Sequence, residues 1–190
     1  MTTMVERRKA TDKKIYDAAI MQFGNNGFAN TTLSNIAKMA GITPGLIVQN
    51  FGSKEELYRK IAVNVVTLSR EQLKPYSKSW DERCRAAINI TIDALAKDPD
   101  FIHYLNFYVS LITSLDTPDD VLKELNDIYL GSPVKELLME GQNKGEVIDG
   151  DTYAIHALFW SNMQNTICYC YNHKLDYPPT EWFLEIIRKH

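Results

Sequence analysis

The sequence predicts an all-α chain, and three observations carry that prediction. Apolar residues recur at helical spacing along most of the 190 residues, and no alternation of the strand type persists. Ser, Thr or Asp stands repeatedly just before these apolar runs, followed by Glu, Asp or Pro within three positions, which is how helices start. Gly and Pro then fall where each run stops.

Taken in order, Ile15, Ala18, Ala19 and Phe23 share one face of a first helix over about Thr11–Asn25. Leu33, Ile36, Ala37 and Ala40 form the inward face of a short second helix. Gly41 then permits the positive φ of a tight turn. Thr43 and Pro44 suit the N-cap and first position of another short helix, which turns Ile47 and Phe51 inward. Two short helices about a Gly turn make a helix-turn-helix, whose second helix lies in the DNA major groove. Ser53 to Glu56 reads as a capping box opening a long helix over Lys54–Lys74, which Pro75 ends. Ser79 to Glu82 opens a helix running to Lys97, and Asp98-Pro99-Asp100 another reaching about Ser114. Thr117-Pro118-Asp119-Asp120 starts the next, with a bend or break at Gly131-Ser132-Pro133. After a connection at Gly145 to Gly150, Asp151 starts a helix reaching about Tyr171, and Pro178-Pro179 precedes a short terminal one.

The segment Ile15 to Leu57 resembles the DNA-binding domain of the tetracycline-repressor (TetR) family. The matching residues are Ala18-Ala19, Phe23, Gly27, Thr31-Thr32, Ile36-Ala37, Ala40-Gly41-Ile42-Thr43, Gly45, Phe51, Ser53-Lys54-Glu55 and Leu57. The resemblance implies a three-helix head over residues 1–53 and a larger helical body over residues 54–190. That body would bind a ligand and dimerise, joined to the head through the Lys54–Lys74 helix. It further implies a homodimer that binds double-stranded operator DNA, most simply a repressor released by a small effector. The other reading is an effector-independent regulator, controlled by a protein partner or by its own concentration.

By the family's geometry, Pro44, Gly45, Leu46, Val48 and Gln49 face the groove. Val48 stands where the family commonly has a phosphate-touching tyrosine, and Asn50 where it often has histidine; the Asn amide can still donate to phosphate. Gln49 can bond adenine N6 and N7 together, while Leu46 or Val48 can pack on thymine methyls. Specificity through DNA shape is the competing account. Phosphate contacts are expected from Thr31 or Thr32, from Thr43 and from Lys54, at helix N-termini that attract anions. Each threonine also has a capping role open to it. Arg7, Arg8 and Lys9 form either an arm into the minor groove or a solvated tail.

Charge divides along the same line. Residues 1–60 hold nine Lys/Arg against five Asp/Glu, a balance of +4, and the remainder 12 against 19, or −7. The net −3 hides a basic head on an acidic body. In that body, Phe101, Tyr104, Leu105, Tyr108, Leu111, Ile112 and Leu115 share one helical face, and Trp160, Gln164, Ile167 and Tyr171 follow later. Tyr104, Tyr108, Trp160, Gln164, His156 and Asn162 are the candidates to line a pocket beside the Lys54–Lys74 helix. The aromatics suit an amphipathic or aromatic ligand, although most such stripes are simply core. Cys84, Cys168 and Cys170 form no disulfide framework or metal-ligand spacing. No catalytic constellation stands out, so neither an enzyme nor a cofactor is expected. No stretch approaches the roughly 20 apolar residues of a membrane span, and no signal-peptide core begins the chain. The expectation is a cytoplasmic protein without membrane partners.

Overall fold

The computed structural model describes residues 4–130 and 133–190, which form helices joined by short turns. The first three are α1 (Met4–Asn30), α2 (Leu33–Ala40) and α3 (Pro44–Phe51). They are followed by α4 (Lys54–Leu73), α5 (Trp80–Lys97), α6 (Phe101–Thr113) and α7 (Asp119–Leu130). The last three are α8 (Val134–Asn143), α9 (Thr152–His173) and α10 (Thr180–Glu185). Among the described residues, the nearest approach to a sheet is one antiparallel bridge between Val147 and Arg188.

Most boundaries follow from the caps. Ser53 and Glu56 complete a reciprocal capping box, each side chain accepting the other's backbone N–H at 3.2 Å. Ser79 accepts from Glu82 N–H at 3.1 Å, and Asp151 from Ala154 N–H at 2.9 Å. Pro75 turns the chain out of α4 into one 3₁₀ turn at Lys74–Tyr76. Of the expected break at Gly131-Ser132-Pro133, Gly131 and Ser132 lie outside the described residues.

The first helix is a correction. It begins well before Thr11, because the Thr11 hydroxyl donates back to Arg7 C=O at 3.0 Å, a bond made inside helices rather than at their starts. Arg7, Arg8 and Lys9 are therefore helical, not an extended arm. Near its other end, Gly27 (φ 76°, ψ 174°) breaks the helical path. Leu115 is a second correction: α6 ends at Thr113, and this residue of the expected apolar face is fully exposed in the turn that follows.

By internal packing the chain forms two compact units, Met1–Val66 with Asn106–Leu125, and Thr67–Leu105 with Asn126–His190. The expected boundary after residue 53 falls inside the first unit, whose core joins the head to α4 and α6. Tyr58 of α4 packs edge-on against Phe23 of α1 at 4.9 Å and against Phe107 of α6 at 5.6 Å. A Cβ at Gly24 would come 3.0 Å from the Phe107 backbone nitrogen, so glycine there sets how closely α1 and α6 meet. In the second unit Ile155, Phe159, Met163 and Ile167 form an unbroken i,i+4 row on α9. They share one core with Trp80 and Ile88 of α5, Leu137 and Leu138 of α8, and Phe183 and Leu184 of α10.

Candidate nucleic-acid interface

The helix-turn-helix is held by its apolar face and its caps. Ile36 and Ala37 of α2 and Ile47 and Phe51 of α3 are buried, and Phe51 packs on the Tyr16 ring at 5.5 Å. Thr32 caps α2 by accepting Asn35 N–H at 3.1 Å. Gly41 closes it in the left-handed region (φ 68°, ψ 38°), and Ile42 N–H reaches back to Ala37 C=O at 3.0 Å. Gly52 (φ 87°) ends α3 where a Cβ would strike the Glu56 carboxylate, so this position also requires glycine.

With Ile47 and Phe51 turned inward, α3 presents Pro44, Gly45, Val48 and Gln49 outward, and Leu46 is half-buried. Thr43 is the N-cap of α3, yet its side chain makes no capping bond, so the hydroxyl is spare at an exposed helix start. Asn50 is engaged: its amide donates to Asp12 Oδ1 at 2.8 Å, tying α3 to α1. Arg8 and Thr11 of α1, with Leu46, Gln49 and Asn50 of α3, line a groove of about 290 Å³. Sequence reasoning missed Thr11 altogether. Thr11 shares the groove wall with Gln49 because α1 and α3 pack side by side, a juxtaposition that no local signal at Thr11 announces.

Two of the expected phosphate contacts, Thr31 and Lys54, make bonds within the protein. Thr31 is 0% exposed, and its hydroxyl donates to Gln22 C=O at 3.0 Å and Gly27 C=O at 2.8 Å. Gly27 leaves the helical path and its carbonyl meets the Thr31 hydroxyl, while Gln22 C=O also accepts the Asn26 side-chain amide at 3.1 Å. It offers no surface to DNA, whereas its exposed neighbour Thr32 does. Lys54 Nζ donates to Phe28 C=O at 3.0 Å and stands 4.1 Å from the Phe28 ring centre, fastening the end of α1 to the start of α4. Asp116 secures the same region from the turn after α6, accepting Ala29 N–H at 2.6 Å. A bond from the Ser114 hydroxyl, and after it the Ala29 bond, hold its carboxyl below the usual range.

The second unit holds a separate cavity of about 20 Å³, lined by α5 (Trp80, Arg83, Cys84, Ala87), α8 (Val134, Leu137, Leu138), α9 (His156, Phe159, Trp160) and Ile187. Of the six candidate pocket residues, His156 and Trp160 stand in this wall. Tyr104 stacks on Phe101 at 5.9 Å, Asn162 is exposed, and Gln164 is buried with its Oε1 unbonded; none of the three lines the cavity. Tyr108 belongs to the other unit, and α4, the expected wall, contributes no lining residue. Burial, with the charge of Arg83, pushes the His156 imidazole down to about 3, and burial pushes the Cys84 thiol up to about 12. Both are neutral near pH 7. Arg83 and Cys84 carry no sequence signal, since a polar pair in the first turns of a helix ordinarily faces water.

Residues 15–61 match the family model described as bacterial regulatory proteins, tetR family. The regulator TtgR of Pseudomonas putida is 35% identical over 77 residues, 40% of this chain and 36% of its own. The matched stretch thus spans little more than a third of that relative. The fatty acid metabolism regulator protein of Bacillus subtilis is 22% identical over 173 residues, 86% of this chain and 84% of its own. A TetR family transcription regulator from Marinobacter aquaeolei has the same fold, with TM-score 0.76, 12% identity and coverage of 98% of this chain and 100% of that one. So does the regulator FadR of Bacillus subtilis in complex with stearoyl-CoA, with TM-score 0.61, 22% identity and coverage of 92% and 97%.

Proposed function

Because the chain belongs to the TetR family of DNA-binding transcription regulators, we propose that it binds operator DNA as a two-fold dimer and represses transcription until a small amphipathic or aromatic effector releases it. The outward surface of α3 carries this reading. Val48, 51% exposed, shares the outward side of α3 with Gln49, so an apolar contact for a thymine methyl and a long polar reader lie together on the helix that follows the turn. Thr43 and Thr32 flank that surface with hydroxyls, and Lys54 adds a positive charge. The assignment is phosphate contact for Thr32, Thr43 and Lys54, and groove contact for Pro44, Gly45, Leu46, Val48 and Gln49. Asn50 joins the interface through α1, as the partner of Asp12.

A single head reads few base pairs, so specificity requires two. Leu158 (46% exposed), Asn162, Asn165 and Tyr169 (59%) follow one another at helical spacing on the outer face of α9, and Trp182 of α10 is 68% exposed. This patch is the proposed dimer surface, in a protein acting in the cytoplasm where the operator is. Leu158→Lys should yield a monomer by sedimentation and weaken operator binding more than tenfold. An undiminished dimer would sink this interface.

Salt-dependent binding to the promoter region of its own gene tests the DNA reading: log K should fall linearly with log salt. Affinity that ignores salt would refute it. One observation favours the second reading, control without a small effector. A cavity of about 20 Å³ holds one water, far short of the several hundred Å³ that a drug-sized ligand fills. An effector must therefore part the walls, and α4, α6 and α7, each with residues in both units, are the covalent routes by which that opening would reach the head. Release of operator by some small molecule decides between the readings.

A further inference from the structure

Arg83 is the least explained charge in the second unit. It is 7% exposed, and its Nη1 donates to Leu73 C=O at 2.8 Å and Ser77 Oγ at 3.0 Å, two neutral acceptors. The carboxylates of Asp81 and Glu181 pair with other arginines: Asp81 with Arg85 at 2.6 Å and Arg188 at 3.5 Å, Glu181 with Arg85 at 2.5 Å. Among the described residues no carboxylate pairs with Arg83, and its Nε and Nη2, which carry no protein acceptor, are not sealed from solvent. An anion at that edge would complete its bonding with charge-assisted hydrogen bonds. The Arg70 guanidinium is near enough to repel it, which adds to the local positive field. The Arg83 stem forms part of the wall of the 20 Å³ cavity, whose other walls are the apolar faces of Trp80, Leu137, Phe159 and Trp160. His156 stands in the same wall with its ring uncharged.

A cation with a free bidentate edge beside an apolar seam matches one ligand chemistry. We propose that this site takes a small amphipathic acid, its carboxylate on the Nε–Nη2 edge of Arg83 and its apolar tail between α5, α8 and α9. The tail has to part α8 from α5, because the seam as it stands admits one water. This rests on the effector reading above and names the class of effector.

Trp80 and Trp160 in the wall make intrinsic fluorescence a direct readout on the full chain. Octanoate, 1-octanol and octyltrimethylammonium share a tail and differ in the head; the two ions are titrated below their micellar concentrations and the alcohol below its solubility limit. Octanoate should bind at least about 10-fold more tightly than octanol, the order of one charge-assisted hydrogen-bonded pair. Arg83→Met should bring octanoate down to the affinity of octanol, and Ala87→Phe, which fills the seam, should abolish both. Equal binding of octanoate and octanol by the unaltered protein overturns the acid assignment. So does octanoate affinity that survives Arg83→Met, and a flat response to all three molecules removes the site. The effector reading fails separately: octanoate held through Arg83 with operator affinity unchanged keeps the acid site and removes its regulatory meaning. Operator release by octanoate that persists in both variants does the reverse.

Discussion

Replacing Thr31 by valine keeps the side-chain shape and removes one hydroxyl, so its effect isolates a buried hydrogen bond. The residue has no exposed surface, and its hydroxyl serves the carbonyls of Gln22 and Gly27 at 3.0 and 2.8 Å. Losing the bond costs about 1 kcal/mol, and leaving a buried carbonyl without a donor raises the cost to roughly 1–3 kcal/mol. For a chain of this length that lowers the melting temperature by about 2–10 °C. Affinity for operator at 20 °C should stay within a factor of two, because the folded population still presents the same α3. Thr32→Val makes the opposite test. It loses the cap on α2, a cost of about 1 kcal/mol, together with an exposed hydroxyl at the proposed phosphate contact, so operator affinity should fall. Circular-dichroism melts and fluorescence anisotropy on both variants read the two quantities independently. A Thr31→Val protein with unchanged melting and tenfold weaker DNA binding would refute the internal assignment of Thr31.

Gln49→Ala should relax preference at one base position by about 1–3 kcal/mol in a competition series of single-base operator variants; uniform weakening across the series would remove its role as a reader. Lys54→Met should cost about 1–2 kcal/mol of stability through the lost Phe28 contacts and reduce the salt slope of operator binding by about one unit. A slope identical to the parent's would leave Lys54 a purely internal clamp. His156 titrates at about 3 in the folded protein, below its unfolded value of about 6.5. Between those two values the unfolded chain binds the extra proton, so the stability is intact above the unfolded value and is lost as pH falls. Because His156 is partly exposed, the loss from pH 7 to pH 5 is at most about 2 kcal/mol. Chemical denaturation at the two pH values, with His156→Gln as the reference, measures it; equal pH dependence in both proteins would contradict the burial.

The helices and most of their boundaries were legible along the chain, because caps and breakers act on their immediate neighbours. Ser53 with Glu56, Ser79 with Glu82, and Asp151 all do in the structure what their spacing predicts. The helix-turn-helix was legible for the same reason: Gly41 and Pro44 each impose a local backbone geometry, and the i,i+4 pattern sends Ile47 and Phe51 inward. The start of α1 was not, since helix continuing through Arg7 to Thr11 is a matter of weak propensities with no cap to mark the end.

What each polar side chain does was decided elsewhere. Thr31 and Thr32 are adjacent and chemically identical, and only the Gly27 break beneath them makes one an internal donor and the other an exposed cap. Lys54 reads as a free charge at a helix start until Phe28 is folded over it. The cavity brings His156 and Trp160 of α9 to Arg83 of α5 and leaves Tyr104, Asn162 and Gln164 out. The reason is physical. Secondary structure and the inward face of a helix follow from interactions within about four residues. A buried partner or a cavity wall comes from residues tens of positions apart, and its existence depends on how whole helices pack.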